Sequence, residues 1–353
     1  MKTTEEIDMQ ELAEESPNKI AHLKKANADL MKIVKKQREA LGDREELVEQ
    51  VCGAISAQEP YSKHVYKTTG AKAKHPIIPV LMLSDWHIGE VVKPNEIEGF
   101  NRFNWEIAQA GVFGIVEDFL KWVEIQRSFY AIKECTLFVM GDMISGDIHQ
   151  ELMVTNEFPL PVQTAKAGNL LGEVFRIMSS HFDRVNIFEV AADNHSRLQK
   201  KPQAKQKTQN SMGYLVHEIA NGHAAKCNNL NITIAEGAKL VAPVNDIRFL
   251  VSHGDGLKGT FGIPFYAFQR EIGKEAVRRM RTSKGFDIMA IGHFHTPCLI
   301  EGRTIVNGSL SGTSEFDSIC GRHSKPCQVA FLTHPSHGLF NLTPFVRRDV
   351  TKK

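Results

Sequence analysis

The sequence predicts an α/β chain preceded by a helical N-terminal segment. Three observations carry this: apolar, β-like runs recur after residue 76, helix-length stretches lie between most of them, and an apolar heptad is confined to the first sixty residues. Strands alternating with helices indicate a sheet covered by helices. Composition agrees, since 42% hydrophobic and 24% charged residues over 353 positions suit a folded globular chain rather than a disordered one. No apolar run reaches the roughly 18–20 residues of a membrane span. The acidic start MKTTEEIDMQELAEE lacks the basic-then-apolar texture of a secretory signal. Six scattered cysteines (Cys52, Cys135, Cys227, Cys298, Cys320, Cys327) form no CxxC pair, so reduced thiols and a cytoplasmic setting are expected.

Residues 1–60 form the predicted helical or coiled-coil segment. Ser16-Pro17 reads as a helix start, with serine at the cap and proline at the first helical position. From there a heptad places Ile20, Asn27, Val34, Leu41 and Val48 at a, and Leu23, Leu30, Gln37, Arg44 and Val51 at d. Seven of these ten are apolar, which suits either a homo-oligomer or a helix packed on its own chain. Gly42-Asp43 interrupts the pattern. The segment carries 9 Lys/Arg against 13 Asp/Glu, whereas the rest of the chain carries 34 against 28. An acidic segment thus precedes a basic body.

Residues 61–76 are polar and aperiodic and read as a linker. From 77 to 350 the texture is that of one domain. Strands are expected at Ile77–Leu83, Thr136–Met140, Val185–Ala191, Ile247–Val251 and Phe286–Ile291. Helices are expected at Trp105–Tyr130, Val162–Ser180, Met212–Lys226 and Phe265–Arg281. Near the end, Thr304–Asn307, Gln328–Thr333 and Phe340–Val346 read as short strands without helices between them.

Each of the first five apolar runs ends in residue types that bind metals: Asp85-Trp-His87, Gly141-Asp142, Asn194-His195, His253-Gly254 and His293-Phe-His295. Taken alone, each has a bland explanation, a capping aspartate, a turn glycine or a packed imidazole. Five in order at strand ends are not independent accidents, because ligands gather at the carboxyl ends of strands in open α/β sheets. Carboxylate, imidazole and amide oxygen together suit manganese, iron or zinc.

The ordered series Asp-x-His, Gly-Asp, Asn-His, His-Gly, Gly-His-x-His resembles the calcineurin-like metallophosphoesterase superfamily, from Ile77 to the strand before Asn307. The resemblance implies two packed β-sheets flanked by helices, a four-layer sandwich. It also implies two divalent transition-metal ions, manganese first with iron or zinc as alternatives. One would be held by Asp85, His87, Asp142 and His295, the other by Asp142, Asn194, His253 and His293. Asp142 bridges in that scheme, and His195 matches the family's non-ligand catalytic histidine, a residue type suited to protonating a leaving oxygen at neutral pH. Departures stand out at three positions. Asp193 precedes the Asn-His pair where the family has glycine, and Ser196 follows it where the family has an acid. Ser145 also stands three residues after Asp142, where Asp or Asn is usual. The missing acid leaves His195 without its expected orienting partner.

For substrate, the best local signal is Arg197, Lys200, Lys201, Lys205 and Lys207, a basic run with no acidic residue beside the Asn-His loop. Such a run neutralises a phosphate backbone, although an isolated one is ordinarily a solvated surface. The loops Gly141–His149 and Asn307–Gly312 are similar to metallophosphoesterases of phages and mobile elements, within the branch that resembles DNA-repair nucleases. The expected activity is therefore a two-metal phosphodiesterase on nucleic acid, DNA ahead of RNA, as an exo- or endonuclease. The alternatives are a phosphoesterase for a small nucleotide or phosphoprotein, and a partner-binding scaffold with a weakly active core.

Overall fold

The computed structural model describes residues 4–57, 76–257, 265–282, 284–319, 321 and 323–348. It divides into two compact units, Met1–Gly70 and Ala71–Lys353. Apart from Pro76, the linker expected over 61–76 lies outside the described residues. In the first unit, helix α1 runs unbroken from Thr4 to Ala57. It therefore begins well before the expected start at Ser16-Pro17 and passes through Gly42-Asp43. The Glu-, Ala-, Leu- and Met-rich stretch ahead of Pro17 has high helix propensity, and this outweighs the hydrogen bond lost at the proline.

The second unit runs β1 (Ile78–Leu83), α2 (Trp105–Arg127), β2 (Glu134–Val139), α3 (Gln150–Thr155), α4 (Leu160–His181), β3 (Arg184–Glu189), α5 (Met212–His223) and β4 (Leu230–Ile234). It continues with β5 (Lys239–Val244), β6 (Ile247–Ser252), α6 (Phe265–Met280), β7 (Ile288–Ile291), β8 (Cys298–Ile300), β9 (Thr304–Val306), α7 (Glu315–Ile319), β10 (Cys327–His334) and β11 (Gly338–Val346). Strands form a six-stranded sheet, β11-β10-β1-β2-β3-β4, and a five-stranded sheet, β5-β6-β7-β9-β8. In the first, β1 to β4 are parallel while β10 and β11 join antiparallel. In the second, β6, β7 and β9 are parallel between antiparallel edges β5 and β8.

Side-chain alternation along β1 shows why two sheets pack. Val80 and Met82 point into a cluster shared with Phe138, Phe249, Val251, Ala290, Ile305 and Phe331, which lies between the sheets. Leu81 and Leu83 point the other way, into a cluster with Val112 and Phe119 of α2 and Leu171 and Phe175 of α4. A strand buried on both faces is what a continuous apolar run encodes. The outer face of the five-stranded sheet is covered by Phe268 of α6, against Met289, Ile291 and Val306. The result is a helix–sheet–sheet–helix stack, two mixed sheets flanked by helices.

Caps fix two of the helices locally. The Asn104 side chain accepts from the Ile107 amide at the start of α2. The Ser211 hydroxyl does the same for Gly213 at the start of α5. Among the described residues, no helix is long and apolar enough to cross a membrane. Cys135, Cys227, Cys298 and Cys327 form no disulfide.

Candidate metal centre

The parallel strands β1, β2, β6 and β7 deliver their following loops to one edge of the two sheets. Backbone bonds zip the first two loops together: Asp85 N to Gly141 O, His87 N to Asp142 O and Ile88 N to Met143 O, each 3.1 Å. Gly146 lets the third loop approach this join. Its φ is +72°, and any Cβ there would collide with the His195 carbonyl oxygen, so only glycine permits that approach.

Five of the ten non-glycine residues with positive φ among those described are Asp85, His87, Asp142, His293 and His295. Such conformations cost free energy and persist where surrounding contacts over-determine them, which is common at functional sites. The backbone thus concentrates its strain on candidate ligands.

Three ligand groups result, each with one donor atom per residue within 4.8 Å of the others: Asp85, His87 and His295; His87, Asp142 and His195; Asp142, His253 and His293. Asn194 joins the third group, its Oδ1 lying 3.0 Å from His253 Nε2. Asp142 Oδ2 approaches the same nitrogen at 2.9 Å. All seven ligands expected from the sequence therefore converge, with His195 beside them. His87 and His195 have ring centroids 4.6 Å apart.

The chemistry of these contacts fits metal ions. His253 Nδ1 lies 2.8 Å from the Met140 carbonyl oxygen, which only accepts, so Nδ1 carries the hydrogen and the neutral ring presents a lone pair at Nε2. That lone pair faces two oxygen acceptors, an arrangement only a cation or a proton satisfies. His87 Nε2 and His295 Nε2 similarly meet at 3.2 Å, with Asp85 Oδ1 3.4 Å from the latter. His87 Nδ1 is buried and makes no hydrogen bond. Imidazoles bind metals in the neutral form.

Electrostatics show where that form is already present. Burial, with His195 and His295 nearby, holds His87 down at about 3. Burial and His253 hold His293 at about 4. His253 behaves oppositely: burial resists its charge, yet the Asp142 carboxylate pushes it up to about 10. His295 is also raised, because Asp317 and Asp85 together outweigh burial. Asp142 and Asp85 are depressed in turn, with burial overcome chiefly by His253 and His295 respectively. In the metal-free protein a proton on His253 stands where a cation would, and His295 is shifted the same way.

The departures around His195 find their physical account here. Its Nδ1 lies 2.7 Å from the Ser145 carbonyl oxygen, so a main-chain acceptor supplies the orientation the missing acid would have given. Asp193 is buried and structural. It accepts from the Asp142 amide at 3.0 Å and from the Ser196 amide and hydroxyl at 2.7 and 2.6 Å. Burial and the nearby Asp142 charge push its carboxyl up to about 6. Ser196 passes the connection to the Ser211 cap of α5 at 2.6 Å.

The basic run divides. The Arg197 guanidinium donates to the Gln199 and Lys200 carbonyls of its own loop, both at 3.0 Å. Lys207 is partly buried and pairs with Asp255 at 2.6 Å. Lys200, Lys201 and Lys205 are exposed. Arg197, Lys201, Lys207, Asn210 and Asp255 line a small pocket.

Two residues escaped the sequence reading. Asp317 of α7 lies 3.4 Å from His295 Nδ1, and its carboxyl falls to about 2 because His295 overcomes the cost of burial. Ser314 caps it, donating from its hydroxyl at 3.0 Å. Glu90 is partly buried near His195 and His295, and burial pushes its carboxyl up to about 7. Nothing in local spacing marks either, since Asp317 lies 22 residues beyond the histidine it touches.

No protein-family model and no curated protein matches the chain. Among solved structures, a single mutant of Vps29 from Entamoeba histolytica is similar at 13% identity and TM-score 0.31, covering 76% of this chain and 99% of that one. A Streptococcus pneumoniae protein described as a predicted phosphoesterase is similar at 10% identity and TM-score 0.29, covering 77% and 98%. Wild-type Vps29 with bound zinc, also from Entamoeba histolytica, is similar at 9% identity and TM-score 0.27, covering 76% and 99%. At these TM-scores the likeness carries no argument about ligand or activity, and the reading of the centre rests on its own geometry.

Proposed function

We propose that this chain is a metal-dependent phosphodiesterase of the calcineurin-like kind, acting on nucleic acid, DNA ahead of RNA. The observation that carries the reading is the shared carboxylate: Asp142 belongs to a ligand group with His253 and His293 and to another with His87. Asp85, His87, Asp142 and His295 would hold one ion, and Asp142, Asn194, His253 and His293 the other. Manganese is the first expectation. Paired divalent ions supply a charged clamp for phosphate and a nucleophile available at neutral pH.

The chain's own residues do the rest. The Met140 carbonyl fixes the His253 tautomer, as Asp317 does for His295, and such outer contacts orient ligands. His195 hydrogen-bonds Ser145 O through Nδ1, leaving Nε2 as the atom that exchanges a proton with the leaving oxygen. Lys200, Lys201 and Lys205 are exposed in the loop that begins two residues after His195, which supports a polyanionic substrate over a small one. Kinship with the DNA-repair-nuclease-like and phage-encoded branch belongs to the same proposal.

The test is a manganese-supplemented assay on bis-p-nitrophenyl phosphate, single- and double-stranded DNA, and RNA, paired with elemental analysis. Hydrolysis of the small diester and of DNA is expected. Hydrolysis of the diester alone removes the nucleic-acid part, and a protein that neither binds metal nor cleaves any substrate overturns the whole reading.

A further inference from the structure

Helix α1 carries an apolar face that its own side chains leave open. Leu23, Leu30, Val34, Leu41 and Val48 are each 40–68% exposed, and all occupy a or d positions of the heptad. They span 26 residues, roughly 39 Å of helix at 1.5 Å per residue, enough for a short two-stranded coiled coil.

Polar residues in and beside the seam decide what covers it. A parallel pairing of two copies would set each d-position Arg44 against itself inside the seam. It would also set Lys19 at g against Lys24 at e of the other copy, and Ile33 at g against Arg38. An antiparallel pairing centred between Lys35 and Lys36 removes all three conflicts. Leu23 then opposes Val48, Leu30 opposes Leu41 and Val34 opposes Gln37. Asn27 opposes Arg44, so the amide oxygen accepts from the guanidinium. Beside that layer Lys24 meets Glu45, and on the other flank Ile33 meets Ala40. Each match occurs twice by symmetry.

We propose that α1 pairs with a second copy of this chain as an antiparallel coiled coil, with Lys24–Glu45 and Asn27–Arg44 setting direction and register. Polar a or d residues and charged flanking positions commonly specify both. None of these residues belongs to the metal centre, and the proposal does not depend on the hydrolytic reading.

The experiment is sedimentation equilibrium of the full chain at several concentrations, for wild type, Lys24→Glu, Glu45→Lys and the double exchange. A monomer–dimer equilibrium is expected for wild type. Each single exchange turns two attractions into two repulsions and should raise the dimer Kd by about tenfold. The double exchange should restore it, which also excludes misfolding as the cause of the single effects. A wild-type chain that stays monomeric, or forms trimers or larger species, overturns the proposal. So does stronger association in Lys24→Glu, the parallel outcome, or equal association in all four proteins.

Discussion

The ligand ring and the basic loop beside it are held in opposite ways. Asp85, His87, Asp142 and His253 are buried. Left-handed backbone at Asp85, His87 and Asp142 is held by the zipped loops, and the left-handed His293 donates its amide to the Asp85 carboxylate at 3.0 Å. From Lys200 to Lys205 the chain is exposed throughout, and its contacts are mostly within its own loop, Arg197 to the Gln199 and Lys200 carbonyls and Gln203 to Gln199, with Lys207 on Asp255 at its end. A reacting centre needs donor atoms fixed to fractions of an ångström, whereas a phosphate backbone is attracted over a Debye length by charge that need not be fixed. Changes in the ring should therefore stop the chemistry on every substrate, and changes in the loop should alter only large polyanions.

The largest expected effect comes from Asp142. Asp142→Ala should lose both ions and lower hydrolysis of a small diester by roughly 10⁴-fold, since each ion supplies several kcal/mol of charge stabilisation. Elemental analysis checks it, and one ion kept at full occupancy would break the bridging arrangement. His195→Ala comes next. Asn194, not the imidazole, is the proposed ligand there, so metal content should persist while turnover falls by about 10²–10⁴-fold. Loss of an ion in that variant would move His195 into the ligand set, a possibility its grouping with His87 and Asp142 leaves open to experiment.

A smaller, pH-dependent effect sharpens the contrast. In the metal-free protein His253 is pushed up to about 10, so it holds a proton at pH 7, and His295 is raised in the same direction. Because each folded-state value lies above the ordinary one, their stabilising contact with carboxylate is full at low pH. For His253 it is lost as pH rises toward 10. Metal must displace a proton from His253, so loading at pH 7 should release at least one per chain and affinity should rise with pH. Calorimetry in buffers of different ionisation enthalpy measures the release. Asp317→Asn should weaken one ion by roughly 10–100-fold, with the other unchanged. Titration showing no proton release would sink this account.

What was legible in the sequence follows the same division. Apart from Asn194, which follows the mixed strand β3, the candidate ligands come just after buried parallel strands, where an apolar run meets a turn, and both signals are local. The edge strands β4, β5 and β8 were not legible. Asn231 and Thr233 break up the apolar pattern of β4, Pro243 lies within β5, and β8 has three residues. The support given to His195 by the Ser145 carbonyl and to His295 by Asp317 was also hidden. The first is a main-chain atom with no residue signature, and the second depends on a fold contact across 22 residues. All five basic side chains were legible as charge, but their division into paired and exposed was not, because Lys207 finds Asp255 only through folding.

That division narrows the last and smallest expectation. Replacing Lys207 along with its neighbours would remove the Asp255 contact and disturb the pocket it closes, mixing a structural effect with an electrostatic one. The cleaner variant is Lys200→Ala with Lys201→Ala and Lys205→Ala, three exposed charges that form no ion pair among the described residues. Hydrolysis of bis-p-nitrophenyl phosphate and metal content should stay at wild-type levels, because none of the three touches the ligand ring. Affinity for DNA should fall by about tenfold at moderate salt, and the slope of log K against log salt should flatten by roughly one to three units, up to one for each lysine that neutralises a phosphate. Binding measured at several salt concentrations reads both quantities at once. An unchanged slope would mean that the loop is solvated surface, and the polyanion reading would then lose its local support while the metal centre kept its own.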